Sequence, residues 1–310
     1  MIKLKIIHFD THPSAEPYKR KGDIYITENV NTYIINNGSF EADAVTGFTC
    51  SKFTKEIIDQ IKGLRLIVTR SIGYDNIDQD YCRQKGIKFS NVDYSRYNVA
   101  HHTWALILHA VRSLEECFSS TRSGNFCDEE IYCHDLREMI LGIIGFGRIG
   151  YEVFKIAKSF GVKVIAYDTI PKKEHMRLDS QYFEYKDMEY VLKNSDILSL
   201  HCDANPTSIG MIDDKAIKQM KNNVILINTA RGSIINESDL IKNINKFAYI
   251  GLDVIVDEND FNKSNPLLKY PNIFITPHIA HKSPVTVKER WLNTYSIIGN
   301  FFKNQNGTSN

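Results

Sequence analysis

The chain has 310 residues, 43% of them hydrophobic and 24% charged, enough for two domains with apolar cores of ordinary size. Thirty-eight Lys and Arg against 37 Asp and Glu leave a net charge of +1, so there is no global bias toward nucleic acid or an anionic membrane surface. No apolar run approaches the roughly 18 residues that a membrane span requires.

The N-terminal stretch "MIKLKIIHFD" reads as a strand ending at Asp10. It lacks the long apolar core and small-residue cleavage site of a signal peptide, which predicts a cytoplasmic protein. The six cysteines (Cys50, Cys82, Cys117, Cys127, Cys133 and Cys202) are scattered and read as reduced cytosolic thiols. Cys127, Cys133 and His134 lie close in sequence, but no second ligand pair has zinc-site spacing, so no metal is expected. "RLIVTR" (65–70) is the first strong strand signal. "YNVAHHTWALILHAVRSLEECF" (97–118) then reads as one long buried helix, apolar nearly all round from Val99 to Leu114, linking an N-terminal domain to the next.

Beyond it, apolar runs alternate with helical patterns. The strand-like runs are 141–146, 163–168, 196–201, 223–229, 248–254 and 272–277. The helix candidates include "RIGYEVFKIAKSFG" (148–161) and "NESDLIKNINK" (236–246). Continuous apolar strands separated by single helices imply a parallel sheet covered on both faces. A last helix, "VTVKERWLNTYSIIGNFF" (285–302), falls beyond the final strand and is expected to return to the first domain. The predicted fold is α/β, with two doubly wound parallel-sheet domains. One is 1–97 plus 283–310, the other 98–282, with a cleft between them.

"LGIIGFGRIG" (141–150) carries Gly145, Gly147 and Gly150 as G-x-G-x-x-G. The triple alone also marks ordinary tight turns. Here an apolar strand leads in, an amphipathic helix leads out, and the next strand ends at Asp168, at the spacing of an acid that meets an adenosine ribose. Gly145 permits the turn. Gly147 lets a pyrophosphate approach the helix N-terminus, where free N–H groups favour anions, and Gly150 lets helix and strand pack closely. Asp168 favours NAD over NADP by repelling a 2′-phosphate, although Lys172 and Lys173 follow it.

"INTARGSII" (227–235) puts Arg231 just past an apolar strand, where ligands of open α/β sheets bind. Its guanidinium can grip a carboxylate through two parallel hydrogen bonds. The plainer reading is a surface arginine paired with Glu237 or Asp239. "GLDVIVDEND" (251–260) supplies Asp253, Asp257, Glu258 and Asp260 after the next strand. "ITPHIAHK" (275–282) ends a strand at Pro277 and His278. A carboxylate beside His278 would stabilise its charged form and make it a proton donor to a carbonyl oxygen.

Together "TRSIGYDNID" (69–78), "NVDYSRYNVAHHTWALIL" (91–108), "GIIGFGRIG" (142–150), "INTARG" (227–232), "GLDV" (251–254) and "ITPHIA" (275–280) resemble the D-isomer-specific 2-hydroxyacid dehydrogenases. They run in the family's order over most of the chain. Within 69–108 the spacing is most similar to the D-lactate dehydrogenase branch, including the enzyme that accompanies vancomycin resistance. The resemblance implies a Rossmann NAD domain inserted in a flavodoxin-like substrate domain, and a homodimer built through the central domain. It implies that Arg231 binds the substrate carboxylate, that His278 is the acid in keto-acid reduction and the base in the reverse direction, and that Glu258 pairs with it. It implies substrate contacts from the backbone of Ile72 and Gly73. It further implies NAD contacts from Arg148, Ile149, Asp168, Cys202, Asp203, Ser208, Thr229, Ala230, Arg231 and Asp253, alongside the three glycines.

The chain departs from the family pattern at Arg96, His101 and Asp203. His101 and His102 are read as facing solvent or a satisfied polar niche. His281 stands where D-lactate members carry an aromatic, which implies a more polar substrate pocket. The expected substrate is a small 2-keto or 2-hydroxy acid, pyruvate-like or lactate-like. The alternatives are 3-phosphoglycerate, glyoxylate or a phosphorus oxyanion, or a catalytically silent NAD-binding regulator. Nothing in the sequence supports nucleic-acid binding.

Overall fold

The computed structural model describes residues 4–93, 96–126 and 129–306; Cys127 lies outside them. The chain divides into two compact units, residues 1–95 with 282–310 and residues 96–281.

In the first unit, Ile24–Tyr25, Ile6–His8, Ala44–Gly47, Leu66–Thr69 and Lys88–Asn91 form a parallel sheet in that spatial order. The chain therefore starts inside the sheet and winds outward both ways, the doubly wound arrangement. The N-terminal strand stops at His8 rather than Asp10, because Asp10 turns into the left-handed region (φ 52°). Ala44–Gly47 and Leu66–Thr69 are buried throughout, as befits strands covered on both faces. One cover is the helix Pro284–Asn306. Its Ile298 and Phe302 pack with Ala44, Leu66, Val68 and Val92, and its Trp291 and Tyr295 pack with Ala15.

The second unit holds seven parallel strands, numbered here within the unit: β1 (Ile140–Ile144), β2 (Lys163–Tyr167), β3 (Phe183–Tyr185), β4 (Ile197–Leu200), β5 (Val224–Asn228), β6 (Phe247–Leu252) and β7 (Ile273–Ile275). Their order is β3-β2-β1-β4-β5-β6-β7, so the winding reverses between β1 and β4. Ligands of such sheets bind at that switch point, outside the carboxyl ends of the strands. Alternate strand residues feed two separate cores, one containing Ile144, Leu198 and Leu226, the other Ile143, Ile197 and Ile225.

The stretch 97–118 is two helices rather than one. Helix α1 (Tyr97–Val111) ends, and α2 (Leu114–Arg122) begins, around Ser113, which sits at φ 47°. Tertiary hydrogen bonds hold the break: the His134 N–H donates to the Val111 carbonyl at 2.9 Å, and the Ser113 hydroxyl to the Tyr132 carbonyl at 2.6 Å. Nor is this stretch buried all round. His101 and Ala105 are exposed on α1, and α2 buries no side chain.

Candidate active site

The glycine loop joins β1 to α3 (Arg148–Ser159). Gly145 has φ 90°, and a Cβ there would lie 2.5 Å from the Cys202 backbone nitrogen. A Cβ on Gly150 would lie 2.5 Å from the Gly145 carbonyl oxygen. Both positions are therefore glycine for steric reasons, since β4 and the loop approach too closely for any side chain. Gly147 is different. It is the N-cap of α3, no side chain caps the helix there, and a Cβ would meet nothing within 4 Å. The space beside the N-terminus of this helix is therefore open at Gly147, and a helix N-terminus favours an anion. A hollow of about 270 Å³ opens at Gly147, lined also by Arg148, Tyr151, Lys172 and His175.

Asp168, at the end of β2, accepts the Phe146 N–H on one oxygen (2.8 Å) and the Ile170 N–H on the other (2.9 Å). The carboxylate is thereby fixed against the loop. Each oxygen keeps a second lone pair for an incoming hydroxyl.

Three adjacent strands carry the other candidates. Arg231 follows β5, is half-buried, and donates to the Ala230 carbonyl at 2.7 Å. A Cβ on neighbouring Gly232 would come within 2.0 Å of the Ile255 backbone, so only glycine lets this loop lie against the extension of β6. Of the acids weighed as its partners, Glu237 accepts the Val256 N–H and Asp239 accepts the Asp214 N–H. After β7, His278 stands at φ 50° and presents Nδ1 to a Glu258 carboxylate oxygen at 2.8 Å. Both side chains are partly exposed. A hollow of about 450 Å³ with apolar walls from Ile255, Phe261 and Pro277 borders the pair.

Residues 104–280 match the family model for the NAD-binding domain of D-isomer-specific 2-hydroxyacid dehydrogenases. The chain belongs to this family. It is 36% identical over 250 residues to a glyoxylate reductase of Thermococcus litoralis, covering 77% of this chain and 74% of that protein. It is 33% identical over 298 residues to a D-3-phosphoglycerate dehydrogenase of Archaeoglobus fulgidus, covering 92% of this chain and 55% of that one. A solved D-lactate dehydrogenase of Aquifex aeolicus, complexed with NAD and lactic acid, superposes with a TM-score of 0.89 at 31% identity. That match covers 97% of this chain and 96% of the other.

This 2-hydroxyacid dehydrogenase is thus an oxidoreductase with NAD as its cofactor. The open helix terminus at Gly147 and the anchored Asp168 fit a dinucleotide. Ile149 lies in the first turn of α3, next to the glycine loop, and Thr229 and Ala230 follow β5 just before Arg231. Thr229 is buried, and its hydroxyl meets that of Thr103 at 2.9 Å. Cys202 lies in the loop after β4, half-buried, its thiol pushed up to about 11 by burial. Asp203 is exposed, whereas the Ser208 hydroxyl turns inward onto the Asp203 carbonyl at 2.5 Å and closes the turn. Ile72 and Gly73 belong to the other unit, in the loop after Leu66–Thr69. There the Ile72 carbonyl takes a hydrogen bond from Asn91, and the Gly73 carbonyl one from Ser71.

Asp253 is buried, and it holds the histidine loop. Its oxygens accept the Thr276 hydroxyl (2.6 Å) and the Ile279 and Ala280 N–H groups (2.9 Å each). Burial opposes its ionisation, but hydrogen bonds from His102, Thr276 and this backbone outweigh burial and keep its pKa below the usual carboxylate value. His102 Nε2 reaches Thr276 Oγ1 at 2.9 Å. Because that hydroxyl donates to Asp253, it accepts from His102, which places the imidazole proton on Nε2. Two successive residues of α1, His102 and Thr103, therefore support the two loops that carry His278 and Arg231. The sequence reads His102 as facing solvent or a satisfied polar niche; it occupies a polar niche, and what the sequence does not show is which residues form it. Its partner is 174 residues away, and no local pattern signals it. His281 is buried, its ring edge-on to that of His278 with centroids 5.4 Å apart.

Among the described residues no group of three or more His, Cys, Asp or Glu could hold a metal, and no helix is long and apolar enough to cross a membrane.

Proposed function

We propose that this enzyme reversibly reduces a small, pyruvate-like 2-keto acid to its D-2-hydroxy acid. The observation that carries the reading is the Glu258–His278 pair. With Nδ1 held by the carboxylate, Nε2 is the nitrogen that exchanges a proton. When bound, NADH supplies the hydride and NAD accepts it. His278 gives its Nε2 proton to the carbonyl oxygen during reduction and takes it back during oxidation. Glu258 orients the ring. Arg231 grips the substrate carboxylate and offsets charge developing on the oxygen.

We assign NAD binding to residues 98–282. Residues 1–97 with 283–310 form the substrate domain, with Ile72 and Gly73 as its contacts. We expect a cytoplasmic homodimer formed through the central domain, with light scattering as its test. The lactate-bound relative supports a lactate-like product. The glyoxylate reductase, which has higher identity over a shorter span, supports glyoxylate as the second reading.

NADH oxidation against pyruvate, glyoxylate, hydroxypyruvate, oxaloacetate and phenylpyruvate separates these readings. Buried His281 beside His278 favours substrates with small or polar side chains, so a strong preference for phenylpyruvate would refute that part. Absence of turnover with every 2-keto acid would overturn the whole assignment.

A further inference from the structure

The break between α1 and α2 brings two thiols together. Cys117 lies one turn into α2, its N–H donating to the Ser113 carbonyl at 3.0 Å. Cys133 lies in the returning segment, between Tyr132, whose carbonyl takes the Ser113 hydroxyl, and His134, whose N–H donates to the Val111 carbonyl. These two bonds clamp Cys133 opposite Arg112. Both sulfurs then point at one acceptor. Cys117 Sγ lies 3.8 Å and Cys133 Sγ 3.3 Å from the Arg112 carbonyl oxygen. Two atoms that share one acceptor oxygen are no farther apart than the sum of those two distances. Cys133 is exposed and Cys117 half-buried. An attacking and a resolving thiol need this combination of access and proximity.

We propose that Cys117 and Cys133 form a reversible thiol–disulfide pair oxidised by hydroperoxides. The Cys133 thiolate attacks a peroxide oxygen. The O–O bond breaks, an alcohol or water leaves, and the sulfur becomes a sulfenic acid. The Cys117 thiolate then attacks that sulfur, the S–O bond breaks and water leaves. In total two thiols lose two protons and two electrons, and one peroxide is reduced. The product ties α2 to the segment that follows it by a cross-link independent of substrate and cofactor. The remaining described thiols are placed otherwise. Cys82 and Cys202 are pushed up to about 11 by burial, which suppresses their thiolates, and Cys50 belongs to the other unit.

The test is to treat the reduced full-length enzyme with one equivalent of hydrogen peroxide, alkylate it, and digest with trypsin and a glutamate-specific protease. Cleavage after Arg112, Arg122, Glu130 and Arg137 separates Cys117, Cys127 and Cys133. The expected product joins the Cys117 and Cys133 peptides with the loss of two hydrogen masses, and dithiothreitol reverses it. The cross-linked protein melts higher by roughly 5 °C, the effect of closing a loop of this length. In Cys117→Ser the oxidised Cys133 stops at the sulfenic acid, which dimedone traps. Separate alkylation of both cysteines after oxidation, a bridge through Cys127, or a bridge between chains would overturn the proposal.

Discussion

Glu258 occupies one nitrogen of His278 at 2.8 Å, so a single nitrogen is left for chemistry. His278→Gln keeps the size and polarity of the side chain but cannot shuttle the proton. The expected outcome is a loss of kcat on the order of 100-fold, with the affinity for NADH, read by fluorescence, unchanged. A variant with near-normal kcat would remove His278 from the mechanism. A second histidine sets a pH limit on the fold rather than on catalysis. His201 follows β4 with Nε2 on the Ser199 hydroxyl at 2.8 Å, while its Nδ1 is buried without a hydrogen-bond partner among the described residues. Burial pushes its pKa down to about 3 from 6.5. Between those values the unfolded chain takes up a proton that the folded chain refuses. The stability tied to His201 is therefore complete above pH 6.5 and falls as the pH drops toward 3, at about 1.4 kcal/mol per pH unit. Replacing the ring by a side chain that does not titrate, as in His201→Gln, should flatten the decline of the urea midpoint between pH 6.5 and 4.5. An unaltered slope in that variant would show that other groups set the acid limit.

Helix α1 touches the site through neighbouring residues, His102 toward Thr276 and Thr103 toward Thr229. Loss of the His102 imidazole leaves Thr276 and Asp253 without that support, and the loop carrying His278 gains freedom. His102→Ala is expected to lower kcat about 10-fold through misplacement while NADH binding holds. His102→Gln, whose amide can still donate to Thr276, should recover most of the rate. Equal damage in both variants would reduce His102 to a packing role. The contrast between α1 and the glycine loop shows what sequence can reveal about elements. "LGIIGFGRIG" is legible because strand, turn and helix follow one another locally, and the steric demand at Gly145 and Gly150 is met within the loop and its neighbouring strand. The break at Ser113 is not legible, since a helical pattern runs through it and only bonds from Tyr132 and His134 hold it. The three-residue β3 and the two-residue strand Ile24–Tyr25 are not legible either. Their apolar patterns are too short, and each forms as an edge completing a sheet already set by longer strands. The candidate site divides the same way. Arg231, Glu258 and His278 stand at strand ends that apolar runs announce, whereas His102 depends on a contact across most of the chain.

At the scale of the whole molecule, every large apolar cluster is complete within one unit. Among the described residues, the clusters around Leu198 and Ile143 draw on residues 100–275, and those around Phe9, Val68 and Trp291 on 4–92 and 287–302. Residues 96–281 form a continuous segment with two such cores and a seven-stranded sheet, large enough to bury a core by itself. Expressed alone, this segment should fold, melt cooperatively and bind NADH, yet turn over no 2-keto acid. The first unit has no such independence in sequence, because its C-terminal helix arrives after the second unit is complete. Trp291 is 5% exposed in that helix, and the Arg70 guanidinium lies 4.7 Å from its ring. Arg70 is itself buried and donates to the Phe9 and Asp10 carbonyls. Trp291→Ala would leave a cavity and loosen the packing over that charge, at a cost of about 3–5 kcal/mol. In calorimetry of the full chain the variant should lower the transition of the first unit alone, and the transition that NADH raises should stay in place. A single transition lowered as a whole would mean that the two units unfold as one.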